Sequence, residues 1–170
     1  MKRLGLVLIG ALLLSGCAAS TQSNSEYSSA DIVFAEMMIP HHEQAIEMSE
    51  IAFLNTTNPD LLQLAQEIKE AQSPEIELMN SWTGVKASTH AGHMMDGMLS
   101  ESEMSDLREA KDQEFDRLFL EGMIKHHEGA IEMAQDVADS ENRDVAELSA
   151  SIISAQEFEI SKMKELLANF

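Results

Sequence analysis

An internal repeat covers most of the sequence. The segment from Phe34 to Met48 returns as the segment from Phe119 to Met133, at an offset of 85 residues (119 − 34). A second block, Ile68 to Met79, returns as Ile152 to Met163 at an offset of 84 (152 − 68). Each half of the chain is therefore one unit of two segments, and a unit of this kind buries its apolar surface by packing against its copy.

Both segments of each unit are predicted to be amphipathic helices. Their apolar residues recur at steps of three and four, which places them on one face of an α-helix, whereas strands would require alternation. The residues predicted to be buried in the four helices are Phe34, Met38, His41, Ala45, Met48 and Ala52; Leu61, Leu64, Ile68, Gln72, Ile76 and Met79; Phe119, Met123, His126, Ala130, Met133 and Val137; and Val145, Leu148, Ile152, Gln156, Ile160 and Met163.

Capping signals mark the ends of these helices. Asn58 followed by Pro59 is typical of an N-cap and first helical position, and residues 139–144 make the equivalent connection in the second half. Ser100 and Glu103 form a capping-box pattern that opens a further helical stretch, which continues or bends into Asp116. Short connections make antiparallel hairpins, so the sequence predicts an all-α fold, a four-helix bundle built from two repeated helical hairpins.

The N-terminal residues have the pattern of an export signal. Lys2 and Arg3 precede an apolar run, Leu4 to Leu14, that is too short to span a bilayer. Leu14-Ser-Gly-Cys17 resembles the lipobox of bacterial lipoproteins, which implies that Cys17 carries lipid; an ordinary secretory peptide is the alternative. We expect a signal peptide at 1–16, a flexible tether at 17–29, and a helical bundle at 30–170 divided into a hairpin (30–82), a loop (83–99) and a hairpin (100–170).

Charge and the residue after the cysteine bear on location and partners. Ala18, rather than aspartate, resembles the sorting pattern of lipoproteins in the outer membrane that face the periplasm. The formal net charge of −19 repels nucleic acid and attracts cations. We therefore expect a metal ion and, through the lipid, a membrane as partners, and no nucleic acid.

Histidine and methionine residues are grouped in a way that indicates metal chemistry. The six histidines fall in only three places, and a methionine lies one helical turn before each doubled pair, so that its sulfur is beside both imidazoles. Thioether sulfur with imidazole is a soft ligand set that suits Cu(I) and, by extension, Ag(I), while histidines also accept Cu(II). The candidate helical ligands are Met38, His41, His42, Met123, His126 and His127.

The third group of histidines lies in the segment between the halves. This segment contains glycines and no helical stripe, so it is predicted to be a loop. Packing of a loop does not require so many methionines, so we expect it to bind metal as well. Its candidate ligands are His90, His93, Met94, Met95 and Met98.

Structural roles explain some of the same residues. Methionine at a helical stripe position is commonly core filler, and Met48 and Met133 are interpreted as core. A single histidine on an apolar stripe is usually a hydrogen-bonded core residue. Gln72 and Gln156, with Glu75 and Glu159 one turn on, fit either a polar network inside the bundle or metal ligation, and the sequence leaves both open.

Two aspartates share the register of the repeat. Asp31 and Asp116 precede His42 and His127 by eleven residues, close to three whole turns of helix. They are expected to accept hydrogen bonds from the imidazoles and thereby fix which ring nitrogen faces the metal.

The pattern Met-x-x-His-His-x-x-Ala-Ile-x-Met occurs twice, and each following helix contains Gln-x-x-Glu-Ile. In these features the chain resembles the DUF305 family from about Asp31 to its C-terminus. The resemblance implies a ferritin-like four-helix bundle and a family of exported proteins of which some bind copper. The family pattern falls on Asp31, Met38, His41, His42, Asp116, Met123, His126 and His127.

These patterns predict a copper-binding lipoprotein of the cell envelope that serves storage, tolerance or delivery, with a copper exporter or chaperone as partner and no catalytic residue. One alternative is a ferritin-like oxidoreductase with a di-iron site. That chemistry uses Glu-x-x-His, and Met38 and Met123 stand where the glutamates belong. The other alternative is a metal-free helical module that binds a protein.

Overall fold

The structure, a computed structural model, describes residues 26–90 and 92–169, and within them it is helical without strands. Residues 1–25, which include Cys17 and the predicted signal peptide, lie outside the described part. The all-α prediction is confirmed. The helices are α1 (Ser29–Asn55), α2 (Pro59–Asn80), α3 (Glu101–Glu109), α4 (Asp112–Gln135) and α5 (Arg143–Leu167), with a short 3-10 helix at Ala87–Thr89.

The four long helices form two hairpins that pack together. Helix α1 packs on α2 and α4 packs on α5, and the hairpins meet chiefly where α1 contacts α4. Two apolar clusters fill the bundle, one around Met48, Leu64 and Phe119 and the other around Phe34 and Ile152. Each fully buried large side chain contributes roughly 1.5–3 kcal/mol to folding. Along each long helix, the polar positions of the repeat fall between these two clusters.

The predicted caps are present in the structure. The side chain of Asn58 accepts from the backbone N–H of Asp60, with Pro59 at the first helical position, and Asn142 caps α5 in the same way. Ser100 and Glu103 form both hydrogen bonds of a capping box.

The stretch that follows this box does not run on into α4. Helix α3 ends at Glu109 with Ala110 as its C-cap, and Asp112 begins α4 with a φ of 48°. Asn55 of α1 stabilises the break, because its amide donates to the carbonyl groups of Leu107, Arg108 and Ala110 at 2.9–3.1 Å. Among the helices of residues 26–90 and 92–169, none has the length and apolar character needed to cross a membrane.

Candidate metal centre

Four histidines lie together in the middle of the bundle. His41 and His42 on α1 and His126 and His127 on α4 are all completely buried. The ring centroids of His41 and His126 are 3.8 Å apart, so the two copies of the repeat meet at these side chains. The stripe on each helix predicted the burial of His41 and His126, and the structure brings the two stripes face to face.

Each hairpin supplies a carboxylate to its own histidine pair. Nε2 of His42 donates to Oε2 of Glu75 on α2 at 2.9 Å, and Nε2 of His127 donates to Oε2 of Glu159 on α5 at 2.6 Å. The two interactions are equivalent in the repeat. A carboxylate that accepts from one ring nitrogen fixes the tautomer and leaves the other nitrogen as a lone pair, an arrangement common around metal-binding histidines.

All five remaining ring nitrogens lack a partner among the described residues. Nδ1 of His41, His42 and His127 and both nitrogens of His126 are buried without a hydrogen bond among the described residues. The amide of Gln72, one turn before Glu75, is also buried and unpartnered. Buried polar atoms without partners cost free energy, so their concentration in one layer of the bundle indicates a binding role.

Two of the four buried rings, those of His41 and His126, are held in the neutral form. Burial, and next the neighbouring His42, together lower the pKa of His41 to about 3, while the hydrogen bond to the Asp96 carbonyl acts in the opposite direction. Burial, and next the adjacent His41, also places the pKa of His126 well below its ordinary value. Neutral imidazole is the form that binds metal.

The end of the loop between α2 and α3 covers the buried histidines. We call residues Asp96–Leu99 the covering segment. The carbonyl oxygen of Asp96 accepts from Nε2 of His41 at 3.1 Å, and the side-chain amide of Gln44 forms two hydrogen bonds with the backbone of Leu99, at 2.7 and 2.9 Å. The loop is therefore anchored to α1 at both ends of this segment.

Helix α4 is shaped to receive the covering segment. Gly129, which corresponds in the repeat to Gln44, packs directly against Asp96 and Gly97. A Cβ on Gly122 would lie 3.1 Å from the side chain of Leu99. The two copies of the repeat therefore differ where the loop crosses them. Helix α1 has Gln44, which bonds to the loop, whereas α4 has Gly122 and Gly129, which leave room for it.

We call the level of the bundle that holds His41, His42, His126 and His127 the histidine layer. The predicted methionine ligands lie at its borders. Met38 and Met123 are fully buried, Met38 in the cluster around Phe34 and Met123 in the cluster around Phe119. Each is one helical turn from its histidine pair. Their burial fits core packing as well as ligation.

The predicted loop ligands do not form one cluster. His90 and His93 lie close together, with their Nδ1 atoms 3.2 Å apart, and Met94 beside them is exposed. Met95 is buried and Met98 is half-buried. The loop therefore has an outer part, which carries His90 and His93, and an inner part, which carries the buried Met95 and the half-buried Met98.

The expected role of Asp31 and Asp116 is corrected by the structure. Asp31 accepts from the backbone N–H of Ser28 and the hydroxyl of Ser140, and Asp116 accepts from the amide of Asn58. Eleven helical residues span about 16 Å along the axis, so sharing a face with the histidines does not bring them within reach. The carboxylates that do contact the imidazoles are Glu75 and Glu159.

The amino-acid sequence leaves the role of these glutamates open and contains no sign of the Asp96 carbonyl. The signal for the glutamates was their place one turn after the buried glutamines, in both repeats. A main-chain carbonyl has no such signal. Within residues 26–90 and 92–169, no group of three or more His, Cys, Asp or Glu side chains is arranged as a complete metal-binding set, so an ion bound by the histidines would draw in other donors or shift the rings.

Comparison with known proteins gives a family and several solved structures. Residues 31–167 match the model of the domain of unknown function DUF305. A DUF305 protein from Streptomyces coelicolor has 30% identity and a TM-score of 0.76, over 83% of this chain and 93% of that chain. A DUF305 fragment from Deinococcus radiodurans has 25% identity and a TM-score of 0.74, over 84% of this chain and 98% of that chain.

A third similar structure is CopM in its Cu(I)-bound form. It is 35% identical with a TM-score of 0.69, over 82% of this chain and 96% of that chain. CopM is also known in Cu(II)-bound and Ag-bound forms. No curated protein matches the chain. With a family model matched over most of its length and structures of the family superposing on nearly all of its bundle, the chain belongs to the DUF305 family.

Proposed function

We propose that this protein binds copper at the buried layer formed by His41, His42, His126 and His127. The observation that carries the proposal is the set of buried ring nitrogens without partners, three of them on rings whose other nitrogen is fixed by an oxygen acceptor. Imidazole lone pairs presented in this way match the ligand preference of copper.

The surroundings of the layer favour a cation and a soft one. Glu75 and Glu159 bring negative charge to it, and burial keeps the imidazoles of His41 and His126 unprotonated in mild acid. Met38 and Met123 offer thioether sulfur one turn away, which suits Cu(I) and Ag(I). CopM, a similar protein, is known in Cu(I)-, Cu(II)- and Ag-bound forms. Iron, the alternative ion, favours carboxylates as direct ligands, and here they accept from the imidazoles.

We place this activity in the cell envelope. The signal peptide and lipobox pattern of the sequence support attachment through lipid on Cys17, in the outer membrane and facing the periplasm. Copper held there serves storage, tolerance or delivery, with a copper exporter or chaperone as the receiving partner.

Anaerobic competition for Cu(I) against a chelator tests the buried site, with Fe(II) and Zn(II) measured in parallel. We expect preference for Cu(I). Replacing Glu75 and Glu159 together by glutamine keeps an acceptor oxygen and removes the charge, and we expect Cu(I) affinity to fall about 10- to 100-fold. Glu77→Gln, an exposed site on the same helix α2, is the matched control. Unchanged affinity in the double variant, or a preference for Fe(II), would refute the proposal.

A further inference from the structure

Glu36 is a buried carboxylate that faces the outer part of the loop. It lies on α1 and is only 7% exposed. Its Oε1 accepts from the backbone N–H of Lys86 at 2.8 Å and from the hydroxyl of Thr89 at 3.4 Å. Its Oε2 lies 3.7 Å from Nε2 of His90. A buried carboxylate is unfavourable unless it is bonded, so these contacts fasten the loop to α1.

The position of Glu36 determines which nitrogen of His90 is available. The 3.7 Å separation is an electrostatic contact rather than a hydrogen bond, and it favours a proton on Nε2 of His90. Nδ1 of His90 is then a lone pair, and it faces Nδ1 of His93 at 3.2 Å. Glu36 and His90 thus form a longer, electrostatic counterpart of the hydrogen bond between Glu75 and His42.

The distance between these nitrogens fits two ligands of one ion. With bonds of about 2.0 Å, two nitrogen ligands are about 2.8 Å apart at a right angle and about 3.3 Å apart at the tetrahedral angle. The observed 3.2 Å falls in this range. His93 is exposed and His90 is half-buried, so water molecules or Met94 have room to complete the coordination.

We propose that His90 and His93 bind a second metal ion through their Nδ1 atoms, with Glu36 as the residue that positions His90. Two imidazoles at a hydrated surface favour Cu(II), which binds nitrogen ligands more strongly than the other divalent ions of the first row. The choice of copper rests on the proposed function, but the site is separate from the buried layer. His93 is three residues before Asp96, so the outer ion is bound by the loop that covers the inner histidines.

Titration of the full chain with Cu(II), followed by electron paramagnetic resonance and by competition with a chelator, tests this site. We expect His90→Ala and His93→Ala each to lower Cu(II) affinity at least tenfold and to remove one nitrogen from the hyperfine pattern. Glu36→Gln should lower affinity roughly tenfold with the number of nitrogens unchanged, which a merely structural defect would not produce. Glu121→Gln is the matched control, since Glu121 occupies the equivalent repeat position but is exposed and pairs with Arg117.

Different results would refute the outer site and the buried site. If both histidine variants bind Cu(II) with the affinity and spectrum of the parent, the 3.2 Å contact is only a hydrogen bond between imidazoles and the outer site does not exist. If those variants lose Cu(II) while the variant with Glu75 and Glu159 replaced keeps its Cu(I) affinity, the outer site stands and the buried site fails.

Discussion

Gly129 on α4 lies directly against the carbonyl group of Asp96, so that a Cβ at this position would overlap the carbonyl oxygen. The same oxygen accepts the hydrogen bond from His41. Gly129→Ala must therefore displace the covering segment and break that hydrogen bond. Although alanine favours a helix by about 1 kcal/mol over glycine, we expect a net loss of about 1–3 kcal/mol in the free energy of unfolding, measured with urea.

Gly122→Ala is the control for this variant. It lies two turns earlier on α4, and the added Cβ would approach only side-chain ends, those of Leu99 at 3.1 and 3.3 Å and of Met48 at 3.4 Å. These ends can move, so we expect stability equal to the parent or higher by up to about 1 kcal/mol. A Gly129→Ala protein as stable as the parent would mean that the covering segment does not pack on α4 as described.

The lowered histidine pKa values predict that the metal-free protein is sensitive to acid. His41 has a pKa of about 3 in the folded state and an ordinary value near 6.5 when unfolded. Between these values the unfolded chain binds the extra proton, so stability is complete above pH 6.5 and falls as the pH is lowered towards 3. The expected slope is about 1.4 kcal/mol per pH unit for each histidine held neutral, measured by urea unfolding at pH 7.5, 6 and 5.

His126→Leu shows how much of the pH dependence of stability comes from this histidine and how much from other groups. Neither ring nitrogen of His126 has a partner among residues 26–90 and 92–169, so leucine removes two buried atoms that are unsatisfied there. We expect the metal-free variant to be more stable by about 1–3 kcal/mol and its dependence on pH to be shallower, while copper affinity falls. The same dependence on pH in variant and parent would show that His126 takes up a proton in the folded state.

The repeat predicted the helices and most of their buried residues, because helical periodicity is a local property of the chain; Ile76 and Met133, also predicted to be buried, are only half-buried. It placed His41 and His126 on stripes, and both are fully buried. It did not predict that these two rings meet, since the contact depends on how α1 crosses α4. Asp31 shows a related limit, because periodicity gives the face of a helix but does not make residues three turns apart neighbours.

The covering segment shows a second limit of prediction from the sequence. The composition of the loop indicated histidine and methionine chemistry, but the group that contacts His41 is a main-chain carbonyl, which any residue supplies. The glycines at 122 and 129 were the visible sign of close packing on α4. That these glycines pack against the covering segment follows only from the structure, in which Gln44 of α1 bonds to Leu99 on the opposite side of the segment.

Cys17 is the basis of the proposed membrane attachment. It follows Leu14-Ser-Gly and is the only cysteine of the chain. We expect the parent to incorporate labelled fatty acid and to sediment with membranes, and Cys17→Ser to lose both properties. Retention of the label and of membrane association by Cys17→Ser would show that the anchor assignment is wrong.

Replacing Met38 and Met123 tests whether sulfur takes part in the proposed copper site or whether the two methionines only pack in the core. Both side chains are fully buried and lie one turn from a histidine pair, so leucine at each position keeps the size and the apolar surface while removing the sulfur. We expect the double variant to stay folded, with a loss of stability below about 1.5 kcal/mol. Its affinity for Cu(I) should fall, whereas its affinity for Cu(II), which prefers nitrogen ligands, should change less.

Met48→Leu is the control for the methionine pair. Met48 is equally buried on α1 but belongs to the apolar cluster with Leu64 and Phe119, so its sulfur is interpreted as core. Cu(I) competition with a chelator, run on parent, double variant and control, checks the assignment. If the double variant binds Cu(I) as tightly as the parent, the two methionines are core filler, and copper at this centre is bound by the histidines without sulfur.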